Sequence, residues 1–236
     1  MTVEGGSRRD WLTIFSEAVL GYVQEGLAAS YYHLAIVESM EQQLLNLAKA
    51  YLPIIQIGEG TAVAGGNTRR MNFEYQAFVF ALRRTLEYFA VSVGAFFKHD
   101  VHRIPKLAHI ISGAEPRDIS EKVSLVLEES LRKLSDILPP DNKERSVRDQ
   151  LAHWRAVDAG VFNITRAYGS NRILIAICGG GENLRPWDSE VGIEPRVLQE
   201  GEIATVRLTP VLSDQISRVE NLIFGTYFEM GLLSKP

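Results

Sequence analysis

Apolar residues recur along most of this chain at intervals of three and four, the spacing of one face of an α-helix. That spacing predicts two opening helices, Asp10 to Ala28 and Ser30 to Leu52. In the second, Leu34, Val37, Glu41, Leu44, Ala48 and Tyr51 share a face, with Glu41 a polar exception expected near its edge. Pro53 ends it, because proline has no N–H to give a helix interior. Phe73 to Lys98 carries the strongest pattern. Phe73, Ala77, Phe80, Ala81, Tyr88, Val91 and Ala95 line one side; Leu82, Leu86, Phe89, Val93 and Phe96 line another. A helix apolar on two sides belongs at the centre of a bundle. A short piece around Lys106 to Ile111 follows, then an amphipathic helix from Asp118 to Leu138. The latter turns Ile119, Val123, Val126, Leu127, Leu134 and Ile137 inward and is stopped by Pro139 and Pro140. Ser146 to Arg155 starts another, short helix.

Elsewhere the period changes. Residues 54–69, IIQIGEGTAVAGGNTR, mix β-branched residues with glycines and show no helical period, so a long loop or small hairpin is expected. Val161 to Ala167 and Arg172 to Cys178 are strand-like, and Tyr168-Gly169-Ser170-Asn171 between them has the composition of a hairpin turn. Gly179 to Gly181 read as a flexible turn, without the GxxxxGK[ST] pattern of a phosphate-binding loop. Residues 195–208 add a strand, and Thr209-Pro210 makes an N-cap and first-turn pair for a last helix through about Gly231, carrying Ile216, Val219, Ile223 and Phe228. The expected fold is mainly α with a small β-hairpin element, in one domain over residues 1–236.

Composition narrows the function classes. An apolar fraction of 46% and a charged fraction of 23% are those of an ordinary globular chain. The formal charge of -4 argues against sequence-independent coating of duplex nucleic acid, which rests on clustered Lys and Arg, yet leaves room for a local basic site. Cys178 is the single cysteine, so no internal disulfide forms, and MTVEGGSRRD lacks the apolar run of a secretory signal; a cytoplasmic location is expected. The most apolar long stretch, FEYQAFVFALRRTLEYFAVSVGAFF, is interrupted by Arg83, Arg84 and Glu87, which excludes it as a membrane span. Without an export signal, the acceptor pattern Asn163-Ile164-Thr165 carries no meaning.

The stretch SVRDQLAHWR, residues 146–155, stands directly behind the helix-breaking LPPDNKER. Ser146 and, three residues on, Asp149 fit the pattern in which each end satisfies a free N–H of the first turn, and capping alone accounts for them, at about 1 kcal/mol. A helix N-terminus gathers unpaired N–H donors and partial positive charge, which favours phosphate, and Arg148 adds a forked donor suited to phosphate oxygens. Asp149 and His153 are four apart and share a helical face, so the carboxylate holds the ring and favours its protonated form. Arg148 and His153 are five apart, about 140° around an ideal helix, and meet only across a cleft or a dimer axis. Lys143, Arg145 and Arg155 give the region a basic character against Asp141 and Glu144, and are the candidate RNA-contacting residues.

Arg148, Asp149, Gln150, Leu151, Ala152 and His153, written R-x4-H, resemble the signature of the HEPN superfamily. The resemblance covers about residues 70–160 and leaves the opening helices, the Gly-rich loop and the hairpin unaccounted for. It implies a helical-bundle homodimer in which two motifs face each other, commonly acting as a metal-independent endoribonuclease in defence or toxin systems, where an antitoxin is a further partner. His153 then moves the 2′-hydroxyl or 5′-oxygen proton, Arg148 stabilises the pentavalent phosphate and Asp149 orients His153, with no metal or other cofactor. The alternative within the same resemblance is a module that binds RNA or nucleotide without cutting.

Two other constellations stand beside this one. His99, Asp100, His102 and His109, with His33 elsewhere, suggest a metal-dependent bundle enzyme, yet HDVHRIPKLAH matches no closed zinc spacing and Pro105 interrupts it; solvated helix-end residues account for them better. Arg83 and Glu87 at i, i+4 suit a surface ion pair, with a supporting role beside His153 as the sharper reading. The aromatic residues of the third helical segment could stack on bases, though helical spacing favours a core role.

Overall fold

The computed structural model describes residues 10–52, 62–64, 69–134, 161–166, 173–178 and 203–234. The described residues are mainly helical. The chain opens with α1 (Trp11–Ser16), a π-helical segment (Glu17–Val23) and α2 (Gln24–Tyr51), continues through α3 (Arg69–Phe96), α4 (Ile104–Ile111) and α5 (Arg117–Lys133), and ends in α6 (Thr209–Glu229). Four short strands, β1 (Ala62–Ala64), β2 (Val161–Arg166), β3 (Ile173–Cys178) and β4 (Ile203–Arg207), form one sheet in the order β1-β2-β3-β4. β1 and β3 each run antiparallel to β2, and β4 runs parallel to β3. The residues joining β2 to β3, which the sequence reads as a hairpin turn, lie outside the described residues.

The chain divides into two compact units. One comprises Met1–Ala28, Leu82–Lys143 and Arg218–Pro236; the other comprises Ala29–Ala81 and Glu144–Ser217 and contains the sheet. In the first unit the opening helical stretch runs antiparallel to α3: Phe15 meets Phe96 at 6.2 Å, Tyr22 stacks on Tyr88 at 4.3 Å, and Gly26 faces Thr85. Gly26 is required there. A Cβ at that position would overlap Thr85 Oγ1 and stand 3.2 Å from the Thr85 Cα, so only glycine lets the two backbones approach. The buried core of this unit includes Leu82, Leu86, Phe89, Val93, Val123, Leu127, Val219 and Ile223. Within it Ser92 Oγ and Tyr227 Oη are hydrogen-bonded at 2.8 Å, a polar pair satisfied inside an apolar setting.

Two expectations change. The opening helices are not broken between Ala28 and Ser30: α2 runs unbroken from Gln24 to Tyr51, because Gly26 costs a helix interior only about 1 kcal/mol and serves a close contact. The irregularity falls earlier, in the π-helical turn. α3 is not buried on both predicted sides. Leu82, Leu86, Phe89 and Val93 are buried, but Phe73 and Phe80 are 61% and 41% exposed, and Tyr88 and Val91 are half-buried. The polar residues that mark the true core face are small hydroxyls, Thr85 and Ser92, which a periodicity count discards. On the last helix Ile216, Val219 and Ile223 are buried and Phe228 is 37% exposed.

Candidate functional site

Arg148, Asp149 and His153, and the basic residues Lys143, Arg145 and Arg155, all lie outside the described residues. The polar chemistry of the described residues gathers at three other places, two of them in the sheet-bearing unit.

Glu41 is the first. Placed by the sequence near the edge of a helix face, it is instead completely buried. Its two carboxylate oxygens accept from four donors. Thr209 N–H donates to Oε1 at 3.0 Å and Arg207 Nε donates to Oε2 at 3.1 Å; the Leu208 N–H and the Thr209 hydroxyl complete the set. The location explains the cluster. β4 ends at Arg207 and α6 begins at Thr209, so the first N–H groups of the new helix have no intrahelical acceptor. Glu41 supplies one from α2 and stands as an anion at the positive end of α6. The predicted N-cap is thereby corrected: Leu208 accepts the first helical bonds, from Val211 and Leu212, and Thr209 is a first-turn residue whose hydroxyl donates to Glu41. Arg207, 30% exposed at its side chain, balances the charge from the solvent side. With every carboxylate lone pair directed at a donor, the cluster fixes the strand-to-helix corner and leaves no acceptor over for a substrate.

The second is a pair the sequence did not bring together. His33 Nδ1 on α2 lies 2.8 Å from Glu74 Oε2 on α3, with the side chains 23% and 19% exposed. A carboxylate only accepts, so Nδ1 carries the hydrogen and Nε2 is left as the ring's second functional atom. The Tyr32 ring meets the imidazole edge-on at 5.3 Å. An oriented imidazole of this kind is equipped for proton transfer. The available signal was the spacing of His33 from Val37 and Glu41, which puts all three on one shoulder of α2.

The third is the histidine segment after α3. His102 Nε2 lies 3.1 Å from Asp100 Oδ1, both largely exposed, while His99 and His109 are exposed without joining them. Among the described residues no three His, Cys, Asp or Glu side chains are grouped to hold a metal ion. The backbone there serves to end α3. Lys98 adopts φ 60°, its N–H donates to Ala95 O at 3.1 Å and the His99 N–H donates to Gly94 O at 2.8 Å, the paired bonds that close a helix C-terminus. Arg83 and Glu87 form the i, i+4 pair at 3.2 Å. No helix among the described residues is long and apolar enough to cross a membrane.

No protein-family model, no curated protein and no solved structure matches this chain. Its functional reading therefore rests on its own residues.

Proposed function

We propose that the chain is a metal-independent endoribonuclease of the HEPN type, acting as a homodimer. The spacing of Arg148 and His153 behind a helix-breaking stretch carries this reading. The mainly helical character of the described residues is consistent with it, and the three polar clusters above offer no competing complete site.

The chemistry needs three acts. His153 accepts the 2′-hydroxyl proton as the 2′-oxygen bonds to phosphorus. Arg148 holds the equatorial oxygens as charge builds on the pentavalent phosphate. The bond from phosphorus to the 5′-oxygen then breaks and that oxygen takes a proton from water. One fragment ends in a 2′,3′-cyclic phosphate and the other in a 5′-hydroxyl. Asp149 fixes the ring of His153, and Lys143, Arg145 and Arg155 hold flanking phosphates. The setting is a defence or toxin system with an antitoxin as partner.

Incubating purified protein with end-labelled RNA in EDTA tests the reading. Wild-type protein yields cyclic-phosphate ends, and His153→Ala or Arg148→Ala slows cleavage about 100-fold or more. Equal cleavage by the variants rejects the site. Binding without product, weakened by Arg148→Ala, replaces the enzyme by a binding module.

A further inference from the structure

The π-helical turn between α1 and α2 is the one irregularity in an otherwise continuous helical stretch of 41 residues, Trp11 to Tyr51, and such turns concentrate at functional places in helices. It carries Tyr22, which is 39% exposed and stacks on Tyr88 of α3 with ring centroids 4.3 Å apart and planes 17° from parallel. The Arg84 guanidinium lies 5.4 Å from the centroid of the same Tyr88 ring. One further observation marks this as more than packing. Arg83 is paired with Glu87 at 3.2 Å, while Arg84 is exposed and no carboxylate pairs with it among the described residues.

We propose that Tyr22, Tyr88 and Arg84 form a platform on which an unpaired base of single-stranded RNA stacks, with Arg84 reaching the adjoining phosphate. An aromatic stack extended by a cation is the chemistry that holds bases without reading their edges. Exposed Glu25, one turn beyond Tyr22, opposes a run of phosphates, so the platform grips one base rather than tracking a backbone. The proposal rests on the RNA reading above, and gives that reading a substrate form, single-stranded rather than duplex.

The test uses a fluorescein-labelled 12-nucleotide 2′-O-methyl oligoadenylate, which cannot be cut through its 2′-oxygen, and an abasic oligomer of equal length and charge. Fluorescence anisotropy with the full-length protein should show the oligoadenylate binding about 10-fold tighter than the abasic strand, the scale of one stacked base. Tyr22→Leu should abolish that difference and Tyr22→Phe keep it; Arg84→Gln should weaken both strands alike. Equal binding of the two strands by wild-type protein, or an unchanged preference in Tyr22→Leu, overturns the platform. Far-UV circular dichroism checks the folding of each variant, and Tyr22→Gln, which also lacks a ring and should also abolish the difference, carries the decision if Tyr22→Leu unfolds. Cleavage of unmodified RNA is measured separately. Its absence with base-dependent binding intact rejects the ribonuclease and spares the platform, while cleavage without base preference does the reverse.

Discussion

Glu41 illustrates how a single side chain departs from what its position in a pattern suggests. On a helix face of Leu34, Val37, Leu44 and Ala48 a carboxylate reads as a boundary residue, since burying an unpaired charge costs several kcal/mol. It is buried because Arg207, Leu208 and Thr209, more than 160 positions away, supply donors that no local window contains. Glu41→Ala leaves a half-buried guanidinium and free helix-start N–H groups, and should cost roughly 3 kcal/mol or more in urea denaturation. Glu41→Gln keeps one acceptor oxygen and should cost less than Glu41→Ala; equal losses would show that the retained oxygen contributes nothing without the charge. Tyr227 is a second residue whose environment sets a measurable property. Burial pushes its phenol from 10.0 to about 12, with the Ser92 hydroxyl working against the shift. The folded state therefore keeps a proton that the unfolded chain releases above pH 10. Its contribution is complete below pH 10 and is lost as the pH rises towards 12, a loss of roughly 2–3 kcal/mol. Tyr227→Phe should flatten the fall in denaturation midpoint across that window, although it begins slightly less stable for want of the Ser92 bond.

At the scale of elements, helices were the most legible feature, because their period repeats many times within each. The predicted Phe73 to Lys98 corresponds to Arg69–Phe96, and the start predicted at Asp118 to Arg117. Which side of α3 is buried was not legible, since Phe73 and Phe80 are as apolar as the core residues and only the packing of other elements distinguishes them. Nor was the pairing of β4 with β3, a parallel ladder whose crossover leaves no local turn signal. Helix ends were readable where the residue type announces the backbone. Gly231, at φ 73°, closes α6 with its N–H on Phe228 O at 2.9 Å, and glycine is the expected residue there. α3 ends with the same geometry on Lys98, a residue that carries a Cβ into the left-handed region. Lys98→Gly should therefore stabilise the protein by about 1 kcal/mol, seen as a midpoint raised by a few degrees. Gly26→Ala should do the opposite, costing about 1–3 kcal/mol as α2 is pushed off Thr85. A neutral Gly26→Ala would mean that the contact yields without cost.

For the whole molecule, the decisive question is whether one chain suffices. The mainly helical class was legible from periodicity, but the candidate site stands in the sequence only as a spacing, and that spacing separates Arg148 from His153. Five positions on an ideal helix turn Arg148 about 140° from His153, so one phosphate cannot be served by both groups from a single helix face. In the proposed homodimer a two-fold axis would solve this geometry, presenting the Arg148 of one subunit to the His153 of the other, and doing so twice. Arg148→Ala and His153→Ala homodimers should then each be inactive, whereas a dimer containing one chain of each retains one intact pairing. Co-expressing the two variants at equal levels makes about half of all dimers mixed, each with one of two sites, so activity should return to about a quarter of wild type. Sedimentation of the purified protein should give twice the chain mass of 26.4 kDa. No recovery in the mixed dimer, in a protein where both single variants are folded and dead, would put Arg148 and His153 of one chain at the same phosphate. A monomeric mass with wild-type cleavage intact would independently require that same single-chain arrangement.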